Sequence, residues 1–116
     1  MSITRFETGP RMSQAVVHGD TIYLAGVVAD APAGKDVGAQ TQSVLGKIDA
    51  LLAAAGSDKT RVLSAQIWLA DMGTFAAMNA VWDAWVAPGC TPARATVEAR
   101  LATPDYTVEI MIVAAR

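Results

Sequence analysis

The stretch Pro92-Ala93-Arg94-Ala95-Thr96-Val97-Glu98-Ala99-Arg100-Leu101 alternates with a period of two. Ala95, Val97, Ala99 and Leu101 fall on one side, and Arg94, Thr96, Glu98 and Arg100 on the other. Successive side chains of a strand point to opposite faces, so this is a strand with two unlike faces. The apolar face is expected to pack on helices. The polar face carries a guanidinium where the strand starts, just after a proline that limits the backbone. The following apolar run, Thr107 to Ala114, holds Glu109. An arginine and a glutamate on neighbouring strands suggest a small site for a carboxylate-bearing molecule.

Working outward, Ile3 to Glu7 reads as a short first strand, broken by Gly9-Pro10. Residues 14–18 and 21–26 are two β-rich runs separated by Gly19-Asp20, and glycine at the first central position suits a type II′ hairpin turn. Residues 29–35 read as a loop. Asp36 is a candidate cap for a helix whose apolar positions recur from Val37 to Leu52, and Gly56 is placed to end it. Arg61 to Ala70 reads as a central strand, apolar on both sides. Thr74 is a candidate N-cap for a second helix, with Phe75, Met78, Trp82, Trp85 and Val86 as one stripe before Pro88-Gly89. The order β-β-β-α-β-α-β-β predicts an α+β fold, a single-layer mixed sheet with two helices on one face. The other face would lie bare, and its natural cover is the same sheet from neighbouring subunits.

Composition narrows the function. The 116 residues are expected to form one domain, 1–116. Apolar residues make up 53% and charged residues 17%, against about 25% charged in an average chain, so part of the surface is expected to be covered by another subunit. A net charge of −2 without a basic run argues against a nucleic-acid partner. No apolar segment reaches the roughly 20 residues of a membrane span, and no membrane partner is expected. Met1 to Phe6 lacks the apolar core of a signal peptide, and the single Cys90 forms no internal disulfide, which together point to the cytoplasm.

Metal and cofactor chemistry find no anchor. His18 is the only histidine and precedes a turn, whereas zinc sites want two or more His or Cys at close spacing. Cys90 has no histidine nearby in sequence, and neither G-x-G-x-x-G nor a P-loop occurs. No metal and no cofactor are expected. Arg94 has two readings: a structural ion pair, or a planar fork gripping a carboxylate through two hydrogen bonds. Glu109 either pairs with Arg94 or Arg100, or positions and activates a water. Asn79 sits at the edge of the second helical stripe, where it reads as a helix-face amide; Trp82 and Trp85 read as core.

Several blocks resemble the Rid family, the reactive intermediate (enamine/imine) deaminases. They are Ser13-Gln14-Ala15-Val16-Val17-x-Gly19, Tyr23-Leu24-Ala25-Gly26, Gln40-Thr41, Phe75-x-x-Met78-Asn79, Pro92-Ala93-Arg94 and Val108-Glu109-Ile110. The resemblance spans essentially the whole chain, and Pro-x-Arg followed by Glu in an apolar strand is its most specific part. It implies a chorismate-mutase-like fold and a homotrimer with three intersubunit clefts. It implies that Arg94 binds a substrate carboxylate and that Glu109 orients the attacking water, with Asn79 and the backbone near Gly26 lining the cleft. Met12 and Thr96 complete the expected substrate-binding set. Many members carry an aromatic residue near position 12, serine at 25, glutamine at 27 and cysteine at 96. Met12, Ala25, Val27 and Thr96 therefore describe a divergent subgroup that keeps the arginine clamp in a less polar pocket.

The expectation is a cofactor-independent hydrolytic deaminase that converts a 2-imino acid into a 2-oxo acid and ammonia. An imine is already electrophilic, so holding the carboxylate and placing one water supply most of what the reaction needs. The alternative is a non-catalytic trimeric binding module for small carboxylates.

Overall fold

Hydrophobic periodicity and caps decide where the elements begin and end. The computed structural model describes residues 1–116. Strands β1 (Ile3–Phe6), β2 (Ala15–His18) and β3 (Thr21–Leu24) form an antiparallel meander. Gly19 joins β2 to β3 at φ +61° while Asp20 keeps a negative φ, the combination a type II′ turn requires. Helix α1 (Val37–Ala54) opens at Asp36, whose Oδ1 accepts the Ala39 N–H at 2.8 Å. It closes as the N–H groups of Gly56 and Ser57 turn back to the carbonyls of Ala53 and Leu52. Strand β4 (Val62–Leu69), helix α2 (Phe75–Trp85), and strands β5 (Ala93–Glu98) and β6 (Val108–Ala115) complete the α+β order expected from the sequence.

The sheet runs β1-β2-β3-β6-β4-β5, antiparallel throughout except for the parallel pair β4–β5. Both helices cover one face. Val108, Ile110, Ile112 and Ala114 of β6 and Ala65, Ile67 and Leu69 of β4 are buried beneath them with Val44, Leu45, Ile48 and Leu52 of α1 and Met78 and Trp82 of α2. The opposite face is bare: Tyr23, Val97 and Met111 are 50, 44 and 39% exposed. Large apolar side chains exposed together in one patch are the mark of an interaction surface.

Three expectations need correction. β4 is central as expected, but its two sides are not both apolar throughout: past a register shift between Val62 and Ser64 it alternates, and the bare face mixes Ser64 and Gln66 with Trp68. Its poor alternation in sequence is the trace of that bulge. Thr74 occupies the N-cap position of α2 but makes no capping bond; its hydroxyl donates to the Asp71 carbonyl at 2.7 Å. The third concerns β5, whose apolar side was expected to meet the helices. Ala95 and Val97 face outward instead, and Arg94 and Thr96 turn toward α2.

Gln40 ties the loops to this frame. It is fully buried, its Nε2 lies within 3.2 Å of the carbonyls of Pro32, Lys35 and Asp105, and its Oε1 accepts the Thr107 N–H at 2.9 Å. A buried amide must find partners for both ends, and here one side chain fixes both loop 29–35 and the entry to β6. Lys47 adds an ion pair to Asp30 at 3.0 Å and a bond to the Val28 carbonyl.

Candidate functional site

Strand register places the two charged residues singled out by the sequence. Ala65 of β4 lies between Arg94 of β5 and Ile112 of β6, so Arg94 shares the helix-covered face. Trp68 of β4 lies between Val97 and Glu109, so Glu109 shares the bare face. β4 separates their strands, which corrects the expectation that they are neighbours. With strands about 4.8 Å apart and about 3.3 Å per residue, their backbones stand roughly 14 Å apart, on opposite faces. They form no ion pair with each other, and Arg100 does not replace Arg94 as a partner: it is exposed at the end of β5.

Arg94 is half-buried and held on three sides. Its Nη1 donates to Asn79 Oδ1 at 2.7 Å, and its guanidinium carbon lies 5.4 Å from the Trp82 ring centroid and 5.8 Å from that of Phe75. Aromatic faces attract a guanidinium and stack against its plane. Asn79 and the two rings thereby fix the fork, and its remaining N–H groups have no partner in the chain. The sequence points to Asn79, but it offers Trp82 and Phe75 only as members of an apolar helical stripe. Trp82 is both: 5% exposed, and stacked on Arg94. The spacing Phe75, Asn79, Trp82 was a signal for this, since residues three and four apart share one helix face.

Glu109 is set differently. A Cβ built on Gly26 would collide with Glu109 Oε2, so the carboxylate occupies the space that any side chain at 26 would need. Gly26 is held there by its neighbours: the N–H of Val27 bonds to Ile110 O at 2.8 Å and that of Ile110 to Val27 O at 3.0 Å. The Ala25 N–H bonds to Gln14 O at 2.9 Å, which brings the segment after Met12 to the same end of the sheet. Met12 itself is 47% exposed. Across the ladder, the side chain beside Glu109 is Trp68, a neighbour that only the register reveals.

Thr96 lies on the Arg94 side of β5, two residues further on, and its Oγ1 is buried with no hydrogen-bond partner. The expected set therefore divides into two groups. Arg94, Asn79 and Thr96 lie on the helix side at the β5 edge; Glu109 and Gly26 belong to the bare face, and Met12 lies at that end of the sheet. The chain has no group of three or more His, Cys, Asp or Glu suited to hold a metal ion. No helix is long and apolar enough to cross a membrane.

Comparison with known proteins agrees on the whole length of the chain. Residues 2–116 match the family model described as Endoribonuclease L-PSP. A RutC family protein of Escherichia coli, YoaB, is 48% identical over 115 residues, 99% of each chain. Among solved structures, a YjgF family protein of Neisseria meningitidis is 53% identical with a TM-score of 0.96, covering 100% of this chain and 96% of that one. A protein of the conserved Rid family from Yersinia pestis is 25% identical with a TM-score of 0.91, covering 99% of this chain and 100% of that one.

Proposed function

The chain belongs to the Endoribonuclease L-PSP family, to which the RutC, YjgF and Rid proteins are similar throughout, and on that premise we propose that it is a cofactor-independent hydrolytic deaminase of 2-imino acids. The observation that carries the reading is a fixed guanidinium with free N–H groups, together with a carboxylate seated over Gly26 that has no ionic partner within its chain. Arg94 takes the substrate carboxylate. Glu109 holds the water that attacks C2.

Each half of the reaction moves one proton from oxygen to nitrogen. In the first, the water oxygen bonds to C2, its proton passes to Glu109, and Glu109 delivers a proton to the imine nitrogen, giving a carbinolamine. In the second, the carbinolamine hydroxyl gives its proton to Glu109 and the departing nitrogen receives one, so the C–N bond breaks and ammonia and a 2-oxo acid leave. Glu109 ends as it began. General acid–base catalysis by one positioned group contributes about 10²–10⁴-fold, and orienting substrate and water supplies more.

One chain does not bring its own Arg94 and Glu109 together, so the site is completed by a second chain. Three-fold closure, with bare sheet faces packed around one axis, sets the β5 edge of one subunit against the Gly26–Glu109 region of the next and buries Tyr23, Val97 and Met111. Sedimentation at micromolar concentration is expected to give the mass of a trimer; a monomer would leave the site incomplete.

Gly26→Ala is expected to lower turnover by about 10²-fold while the trimer persists, because the added Cβ must displace the carboxylate and misplacing a reacting group by about 1 Å has that scale of effect. Ammonia release measured on the assembled variant checks it; unchanged release would free Glu109 from any positional requirement.

A binding module for small carboxylates is the second reading, and the apolar Met12, Ala25 and Val27 favour it. Ammonia release from a freshly generated 2-imino acid separates the two. The enzyme accelerates it, whereas a binding module leaves it unchanged or slows it. The net charge of −2 weighs against the ribonuclease activity in the family's description, and incubation with RNA in the same preparation is expected to leave the RNA intact.

A further inference from the structure

The register that puts Trp68 beside Glu109 bears on which imino acid fits. We propose that the site takes 2-imino acids with a branched or aromatic apolar side chain and rejects those with a second carboxylate; this rests on the hydrolase reading above. Directly paired residues of a ladder have Cβ atoms about 4.5–5.5 Å apart. Trp68 lies on the β4 side of Glu109 and Gly26 on the other, so a substrate held before Glu109 meets the indole, which is half-buried on the bare face. The Arg94 side presents Phe75, 38% exposed, whose ring lies 5.8 Å from the guanidinium carbon. Both halves of the site thus offer aromatic surface next to the group that does chemistry.

Charge points the same way. The bare-face positions nearest Glu109 in the register, namely Trp68, Val97, Gln66 and Met111, carry no charge. Arg94 is the cation of the site, and the substrate's own carboxylate neutralises it. A second carboxylate would then face Glu109 with no compensating cation, and like charges at short range in a cleft repel strongly. A cationic side chain would pair with Glu109 and occupy the oxygens that must hold water. An apolar side chain avoids both losses and covers the indole.

The test uses the intact oligomer with imino acids generated in place by an amino-acid oxidase from leucine, phenylalanine, alanine, glutamate and lysine. The kcat/KM for ammonia release is expected to be at least about tenfold higher for the leucine and phenylalanine products than for the alanine product, the scale a filled apolar pocket supplies. The glutamate and lysine products are expected to fall below alanine. In Trp68→Ala the leucine-to-alanine ratio should collapse toward one, and Trp68→Phe should keep most of it. Binding of the matching 2-oxo acids reads the same preference without turnover. If the glutamate or lysine product is best, or the ratio ignores Trp68→Ala, the side-chain assignment is wrong. A 2-oxo acid preference without any acceleration would uphold that assignment and overturn the hydrolase reading instead.

Discussion

Glu109→Gln is expected to reduce ammonia release by about 10²–10⁴-fold while binding of a short 2-oxo acid changes little. Glutamine keeps the shape of the side chain and its fit over Gly26, but it loses the basic oxygen that takes a proton from water. Binding is expected to persist because, in the proposed site, the carboxylate is taken by Arg94. Sequence reasoning left a second role open, in which Glu109 neutralises Arg94 or Arg100. Within one chain the fold removes it: Arg94 lies across the sheet on the other face, and Arg100 is exposed without a partner, so any neutralising arginine belongs to another subunit and the glutamine variant tells the two roles apart. A charged side chain set among apolar strand residues is costly unless it is paired or hydrated. Stability can therefore rise in the glutamine variant even as turnover falls. Both quantities are measured on one folded preparation, and full turnover in that preparation would take Glu109 out of the mechanism.

Arg94→Ala is expected to weaken carboxylate binding by about 10²–10⁴-fold, since two charge-assisted hydrogen bonds at about 1.5–3 kcal/mol each are lost. The assembly is expected to survive. Arg94 lies on the edge strand, half-buried, and its loss frees only the Asn79 amide beside it. Arg94→Lys should recover little, because an ammonium lacks the planar fork that Phe75 and Trp82 hold in place. Calorimetric titration with a 2-oxo acid reads the loss directly. If Arg94→Ala unfolds the oligomer and Arg94→Lys restores both fold and full affinity, the residue is structural.

Element by element, the local signals were legible. Asp36 and Gly56 bracket α1, Gly19-Asp20 makes the hairpin, and the apolar run of β6 survives intact. Caps, turns and periodicity act within a few residues, so one sequence carries them. Pairing is different. That β4 lies between β5 and β6 is a long-range fact with no trace in either strand. It put Trp68 beside Glu109 and moved Arg94 away. The faces of β5 misled for a physical reason: an arginine stem and guanidinium can pack on Phe75 and Trp82 as an apolar side chain would, while Ala95 and Val97 stand exposed on the bare face. Arg94, Asn79, Gly26 and Glu109 were all found, but not their division between two faces.

That division is the central claim: the Arg94 of one subunit works with the Glu109 of another. Mixing Arg94→Ala and Glu109→Gln chains and reassembling them tests it. Each variant alone is expected to be nearly inactive. If the site spans two subunits, random mixing in equal amounts pairs an intact Arg94 with an intact Glu109 at about one quarter of the sites, and ammonia release should recover to about that fraction of the natural protein's. If both residues of a site come from one chain, every site in the mixture lacks one of them, and release no higher than the average of the two parents would contradict the account.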